Sequence, residues 1–188
     1  MPSLFIHPVD ATEELIPFTT MMTCLEEMRF LGSRLAARVD QHYYIGESFL
    51  QLISFMGCAP ALQFHPESEL DPFCHIILHG EQQTSLIFKH DLLHRLPRCP
   101  ECRTSIKDWQ DLLGQSPQPD PYRTVTCSGC DARLTLTQVD WRSQAGAFRL
   151  AIEITSIYPQ EALPTEALLN RLQQSTGQHW KYFYAKPE

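Results

Sequence analysis

Cys99-Pro100-Glu101-Cys102 is answered further along by Cys127-Ser128-Gly129-Cys130, and these two turns constrain the chain more than any other feature of it. Two residues between cysteines let a tight turn aim both thiolates at one ion, and a second such turn completes a tetrahedron. Pro100 pre-sets the backbone of the first turn, and Gly129 is expected to relieve strain where the second bends back. Arg98, Arg103 and Arg133 are close in sequence and would offset the excess charge of four thiolates around one divalent cation. A redox-active pair is the rival reading. It is disfavoured because neither pair sits at a strand-to-helix junction, the place that lowers a thiol's pKa. An iron–sulfur cluster stays compatible with the ligand count.

On these residues the stretch from about 97 to 137 resembles a zinc ribbon, in which two such knuckles sit at the tips of short hairpins. The resemblance implies one structural zinc held by Cys99, Cys102, Cys127 and Cys130, and a local fold rather than an activity. Four-cysteine sites have no open coordination position, so they are closed to chemistry. Such a site stabilises a segment too small to bury a core of its own.

The 188 residues suit one sizeable domain, or one domain carrying a small insert, and 43% hydrophobic content is enough for a normal core. A balance of 15 basic against 22 acidic residues gives a net charge of −7. That disfavours broad affinity for nucleic acid or an anionic membrane, since both require a cationic face. Within the ribbon, Arg98, Arg103, Lys107, Arg123 and Arg133 are matched by Glu101, Asp108, Asp111, Asp120 and Asp131. No basic-then-apolar leader opens the sequence and no apolar run reaches membrane length. Of seven cysteines, Cys24, Cys58 and Cys74 lie outside the knuckles in apolar surroundings. Free cysteines beside a thiolate site predict a reducing compartment, hence a soluble, cytoplasmic protein.

Along the chain, residues 3–7 read as a strand and residues 10–14 as a helix start. A helix is expected from Thr20 to Val39 on a stripe of Met21, Cys24, Leu25, Met28, Leu31, Leu35 and Val39. A second, well-buried helix is expected from Gly46 to Met56. Residues 73–79 and 84–88 flank Gly80 and predict a hairpin, and residues 91–96 a helical turn. A small helix is expected around Trp109, with a hairpin of 122–126 and 134–137 carrying the second knuckle. Phe148 to Ile154 reads as one strand, Pro164-Thr165-Glu166 as the start of a helix ended by Gly177, and Trp180 to Tyr184 as a final strand. The prediction is an α+β fold. A mixed or antiparallel sheet packs with helices, built from 1–96 and 138–188, with a four-cysteine zinc ribbon inserted at 97–137.

Other candidates reduce to structure. His75 and His79 share a strand, about 13 Å apart, too far to chelate one ion. His90 and His94 are spaced for one helix face but have no third ligand. Glu13–Glu14, Glu26–Glu27 and the loop of Glu67, Glu69 and Asp71 read as solvated carboxylates. No phosphate loop, nucleophile elbow or His-Glu-x-x-His is present. The last strand is aromatic on both faces (Trp180, Tyr182, Phe183, Tyr184), so either both faces are covered or one serves an interface, for which a homodimer is the plainest partner.

The expectation for function is therefore a zinc-binding, non-catalytic interaction module whose partner is another protein, with Trp109, Tyr122 and Arg123 as contact residues. Three alternatives stand beside it. One is a small enzyme using His75, His79, His90 or His94 as its acid–base group; the others are a nucleic-acid-binding ribbon and a metal-handling protein.

Overall fold

The computed structural model describes residues 2–9, 16–35, 41–56, 62–66, 72–81, 85–90, 95–114, 120 and 122–186. Glu13, Glu14, Val39, Cys58, Glu67, Glu69, Asp71, His94, the helix start at 10–14 and most of the turn expected at 91–96 lie outside them.

The first half supplies β1 (Ser3–Pro8), α1 (Phe18–Glu27), β2 (Leu31–Arg34), β3 (His42–Ile45), α2 (Phe49–Leu52), β4 (Ile53–Phe55), β5 (Ile76–His79) and β6 (Ile87–His90). After a single 3-10 turn at Trp109–Leu112 follow β7 (Thr124–Thr126), β8 (Arg133–Thr135), β9 (Ala145–Phe148), β10 (Ala151–Ile154), β11 (Ala162–Pro164), α3 (Glu166–Thr176) and β12 (Trp180–Ala185). Six strands form one sheet in the order β12-β1-β10-β5-β3-β2, and every neighbouring pair in it is antiparallel. The architecture is α+β. Among the described residues no helix is long and apolar enough to cross a membrane.

Alternation along β1 explains the layering. Leu4 and Ile6 point to one face, where they meet Met21 and Leu25 of α1 and Leu168 and Leu172 of α3. Phe5 points to the other and packs with Phe148, Ala151, Phe183 and Ala185. Both faces of β12 are therefore covered: Trp180 and Tyr184 belong to the helix side, Phe183 to the far side. The far side is roofed by the two-stranded ribbon of β6 and β9. Strand β9 works in both directions. Its Ala145 and Ala147 join a second core with Leu86, Cys99, Ile106, Leu112, Cys127, Leu134, Leu136, Val139 and Trp141, while Phe148 looks back at the sheet.

Helix α3 forms as its sequence predicts. The Thr165 hydroxyl accepts the Leu168 N–H at 3.4 Å, and Gly177 closes the helix in the left-handed region at φ 75°.

Helix α1 stops far short of Val39. Arg29 takes φ 53°, the Phe30 N–H reaches the Leu25 carbonyl at 2.9 Å, and the Arg29 N–H reaches that of Glu26 at 2.8 Å. This is a Schellman end, with buried Phe30 just past the turn packed at a tilt against Phe49, ring centroids 5.5 Å apart. Gly46 fixes it from outside: its N–H bonds the Phe30 carbonyl at 2.8 Å, and a Cβ there would strike the Arg29 carbonyl. Leu31, at the expected helical period, lies instead in β2.

The helix expected over 46–56 is a single turn, α2, because β-branched Ile53 enters β4 and pairs with Pro164 of β11. The hairpin expected across Gly80 does not form. Strand β5 has β10 on one edge and β3 on the other, and β6 pairs with β9. The single strand expected over 148–154 is two, β9 and β10, with Leu150 between them buried in the helix-side core.

Candidate metal centre

The two knuckles are the same turn built twice. In the first, the Cys99 N–H donates to the Thr104 carbonyl at 2.9 Å and the Arg103 N–H to the Cys99 carbonyl at 3.1 Å. In the second, the Cys127 N–H donates to the Ala132 carbonyl at 2.9 Å and the Asp131 N–H to the Cys127 carbonyl at 2.9 Å. The residue after each second cysteine is left-handed: Arg103 at φ 66° and Asp131 at φ 59°. Strain is thus carried by these two side-chain-bearing residues and not at Gly129, whose φ is not positive. Gly129 serves close approach instead. A Cβ there would collide with Thr104 Oγ1 and come within 3.2 Å of Cys102 Sγ, so the knuckles meet only because it is glycine.

Each knuckle has its own support. Strands β7 and β8 pair from Thr124↔Thr135 to Thr126↔Arg133 and carry the second, as its β-rich flanks predict. The first is anchored by Arg98, whose backbone exchanges hydrogen bonds with Asp140 at 2.9 and 3.0 Å. Trp141 joins them, donating from Nε1 to the Leu136 carbonyl at 2.8 Å and meeting Trp109 edge-on at 5.6 Å.

The result brings the Sγ atoms of Cys99, Cys102, Cys127 and Cys130 within 4.8 Å of one another, close enough to hold a metal ion. The shortest approaches cross between knuckles: Cys99 to Cys130 at 3.7 Å and Cys102 to Cys127 at 3.5 Å. These are far beyond a disulfide bond. They approach the edge of about 3.8 Å expected for four sulfurs each 2.3 Å from one tetrahedral ion. Cys99 and Cys127 are fully buried, while Cys102 and Cys130 form the solvent side.

The protonation pattern fits a cation. Thr104 hydrogen bonds pull the Cys102 thiol down to about 6. At Cys130 the Ala132 backbone favours the thiolate, but its neighbour Cys102, desolvation, Cys99 and Cys127 outweigh it and push the group up to about 12. Four sulfurs this close cannot all be anionic without a positive charge among them. The Gly129 N–H adds a donor 3.4 Å from Cys127 Sγ. Of the arginines expected to balance the site, Arg103 pairs with Asp140 at 3.4 Å.

The other candidates separate. His75 is buried in a chain of its own: Nε2 lies 3.0 Å from His42 Nδ1, and Nδ1 lies 2.8 Å from Thr155 Oγ1. His79 Nε2 pairs with Glu153 Oε2 at 2.8 Å between the rings of Phe5 and Phe148. Burial pushes the Glu153 carboxyl up, but the His79 contact overrides it and holds the group below the usual carboxylate range. His90 ends β6 with its ring 6.1 Å from that of Trp109. Trp109 packs partly buried on the second core. Tyr122 is 78% exposed, and Arg123 is exposed while donating to the Asp111 carbonyl at 3.2 Å.

Sequence reasoning missed Thr104, Asp140 and the paired left-handed residues. Laying Cys-Pro-Glu-Cys-Arg-Thr over Cys-Ser-Gly-Cys-Asp-Ala would have found the last of these. In comparisons with known proteins the chain matches no family model, no curated protein and no solved structure.

Proposed function

We propose that Cys99, Cys102, Cys127 and Cys130 bind one zinc ion in a structural role, and that the chain is a non-catalytic cytoplasmic module that binds another protein. The observation that carries the first half is the closed sulfur set, with crossed approaches of 3.5 and 3.7 Å. That spacing suits one ion, and an iron–sulfur cluster would hold its ligands farther apart. The ion fastens both knuckles at the edge of the second core, in the ribbon proposed for 97–137 as an insert between 1–96 and 138–188. Supporting the second half is Tyr122, a large apolar ring left 78% exposed beside β7. Aromatic side chains of this kind are the usual anchors of protein interfaces.

Metal content and thiol reactivity on freshly purified protein test the first half. About one zinc per chain, with the knuckle thiols alkylated only after chelation, is expected. A metal-free protein with Cys99–Cys102 or Cys127–Cys130 oxidised would overturn it. For the second half, deleting 98–133 would remove Cys99, Ile106, Leu112 and Cys127 from the second core, so a point variant is the cleaner tool. Immobilised wild type should retain a lysate protein that Tyr122→Ala loses at unchanged thermal stability; identical retention by both sinks the interface. Metal handling is a second reading, favoured by Cys102 and Cys130 on the solvent side. It requires that zinc pass to a soluble chelator within minutes.

A further inference from the structure

A cleft of about 290 Å³ opens between the turn after Val139 and the β1–β12 edge of the sheet, lined by residues that include His7, Arg142, Ser143, Trp180, Lys181 and Tyr182. Its polar end is cationic. Asp140 is committed elsewhere: Oδ1 accepts the Arg142 backbone N–H at 2.9 Å and Oδ2 the Arg103 guanidinium at 3.4 Å. The Arg142 guanidinium makes no contact ion pair among the described residues, although the Asp140 carboxylate lies near enough to attract it. Desolvation and the nearby guanidinium groups of Arg98, Arg95 and Arg103 press its pKa below the ordinary value and outweigh the opposing pull of Asp140, so positive charge is in local excess. Arg142 and Ser143 are both left-handed, at φ 56° and 58°, so the turn holds them at the cleft in a costly conformation.

The floor of the cleft is neutral. His7 is 1% exposed, lines the cleft, and its Nδ1 has no hydrogen-bond partner. Burial, with the Lys181 charge opposite it across the strand pair, brings its pKa down to about 3, so the ring is neutral at pH 7. With less than 1 Å² of accessible surface, Nδ1 is closed to the cleft's contents, so the ring serves as a neutral part of the floor. Trp180, Tyr182 and Leu169 belong to the apolar part of the lining.

We propose that this cleft binds a small, flat organic anion, its carboxylate or phosphate oxygens on the Arg142 guanidinium and its body against Trp180 and Tyr182. The volume sits at the lower limit for ligand pockets, which fits a single-ring acid and excludes a dinucleotide. Charge-assisted pairing with a guanidinium suits both oxyanion types, so the probes separate them.

Benzoate and phenyl phosphate, titrated into the full chain with tryptophan fluorescence and calorimetry as readouts, are the test, with benzamide as the neutral counterpart. At least one anion should bind at millimolar concentration or below, and benzamide at least tenfold more weakly. Which anion wins assigns carboxylate or phosphate. Arg142→Gln, a surface change expected to keep the melting temperature, should weaken binding about tenfold. The proposal is overturned if neither anion binds, if benzamide binds as well as benzoate, or if Arg142→Gln binds like wild type.

Discussion

Replacing Gly146 by alanine places a methyl group inside the ring of Phe183. A Cβ at 146 would lie 3.0 Å from Phe183 Cζ and closer still to Cε1 and Cδ1, against an ordinary carbon contact of about 3.5–4.0 Å. The ring has nowhere to go. Phe183 is 1% exposed, stacked on Phe5 at 5.0 Å with an interplanar angle of 6°, and met edge-on by His7 at 5.2 Å. Nor can β9 yield easily, since its four residues are paired with β6 from Ala145↔His90 to Phe148↔Ile87. Overpacking of this kind costs about 1–3 kcal/mol, and an immobile ring puts this case at the upper end. For a chain of 188 residues that lowers the melting temperature by roughly 6–12 °C. Calorimetric scans of Gly146→Ala, Phe183→Leu and the double variant form a cycle. The alanine should cost much less in the Phe183→Leu background, because the smaller side chain vacates the space. A drop under about 2 °C in the wild-type background, or additive losses in the cycle, refutes the reasoning.

Acid should destabilise the protein through His7. Its folded pKa of about 3 lies below the ordinary 6.5, so the stabilisation is complete above pH 6.5 and lost as pH falls towards 3, at about 1.4 kcal/mol per pH unit. Urea unfolding at pH 7 and pH 5 should show wild type losing about 2 kcal/mol more than His7→Gln; equal losses would remove His7 as the cause. Thr165→Ala deletes the side-chain cap of α3 and should cost about 1 kcal/mol, or 2–4 °C in thermal melts, and an unchanged melt would mean the cap contributes nothing.

What the sequence made legible was local. The knuckle cysteines, the β7–β8 hairpin and α3 with Thr165 and Gly177 at its ends depend on residues within a few positions of one another, so spacing and capping rules reach them. The misses all have remote causes. Leu31 and Leu35 continue the apolar period of α1, yet the helix ends because Gly46 docks on the Arg29–Phe30 turn. The 73–88 hairpin had good turn residues, but β10 and β3 occupy both edges of β5. Arginines and acids balance along 98–133, and the fold adds Arg95 and Arg142 to Arg98 and Arg103 near the carboxylate of Asp140. At the centre itself the ligand set was readable. The left-handed Arg103 and Asp131 emerge only when the two knuckles are laid over one another, and the close approach at Gly129 depends on Thr104 in the other turn.

Strand β9 makes the cysteines and the sheet share one fate. It lends Ala145 and Ala147 to the core around Cys99 and Cys127, and Gly146 and Phe148 to the core around Phe5 and Phe183. A ligand held by one core therefore reports its concentration to the other by mass action. For the ion proposed at the cysteines, each tenfold rise in free metal above the dissociation constant would add about 1.4 kcal/mol against unfolding, felt as far away as the β1–β12 pairing. The abundance of this protein would then follow the supply of its metal, with no sensor beyond its own packing.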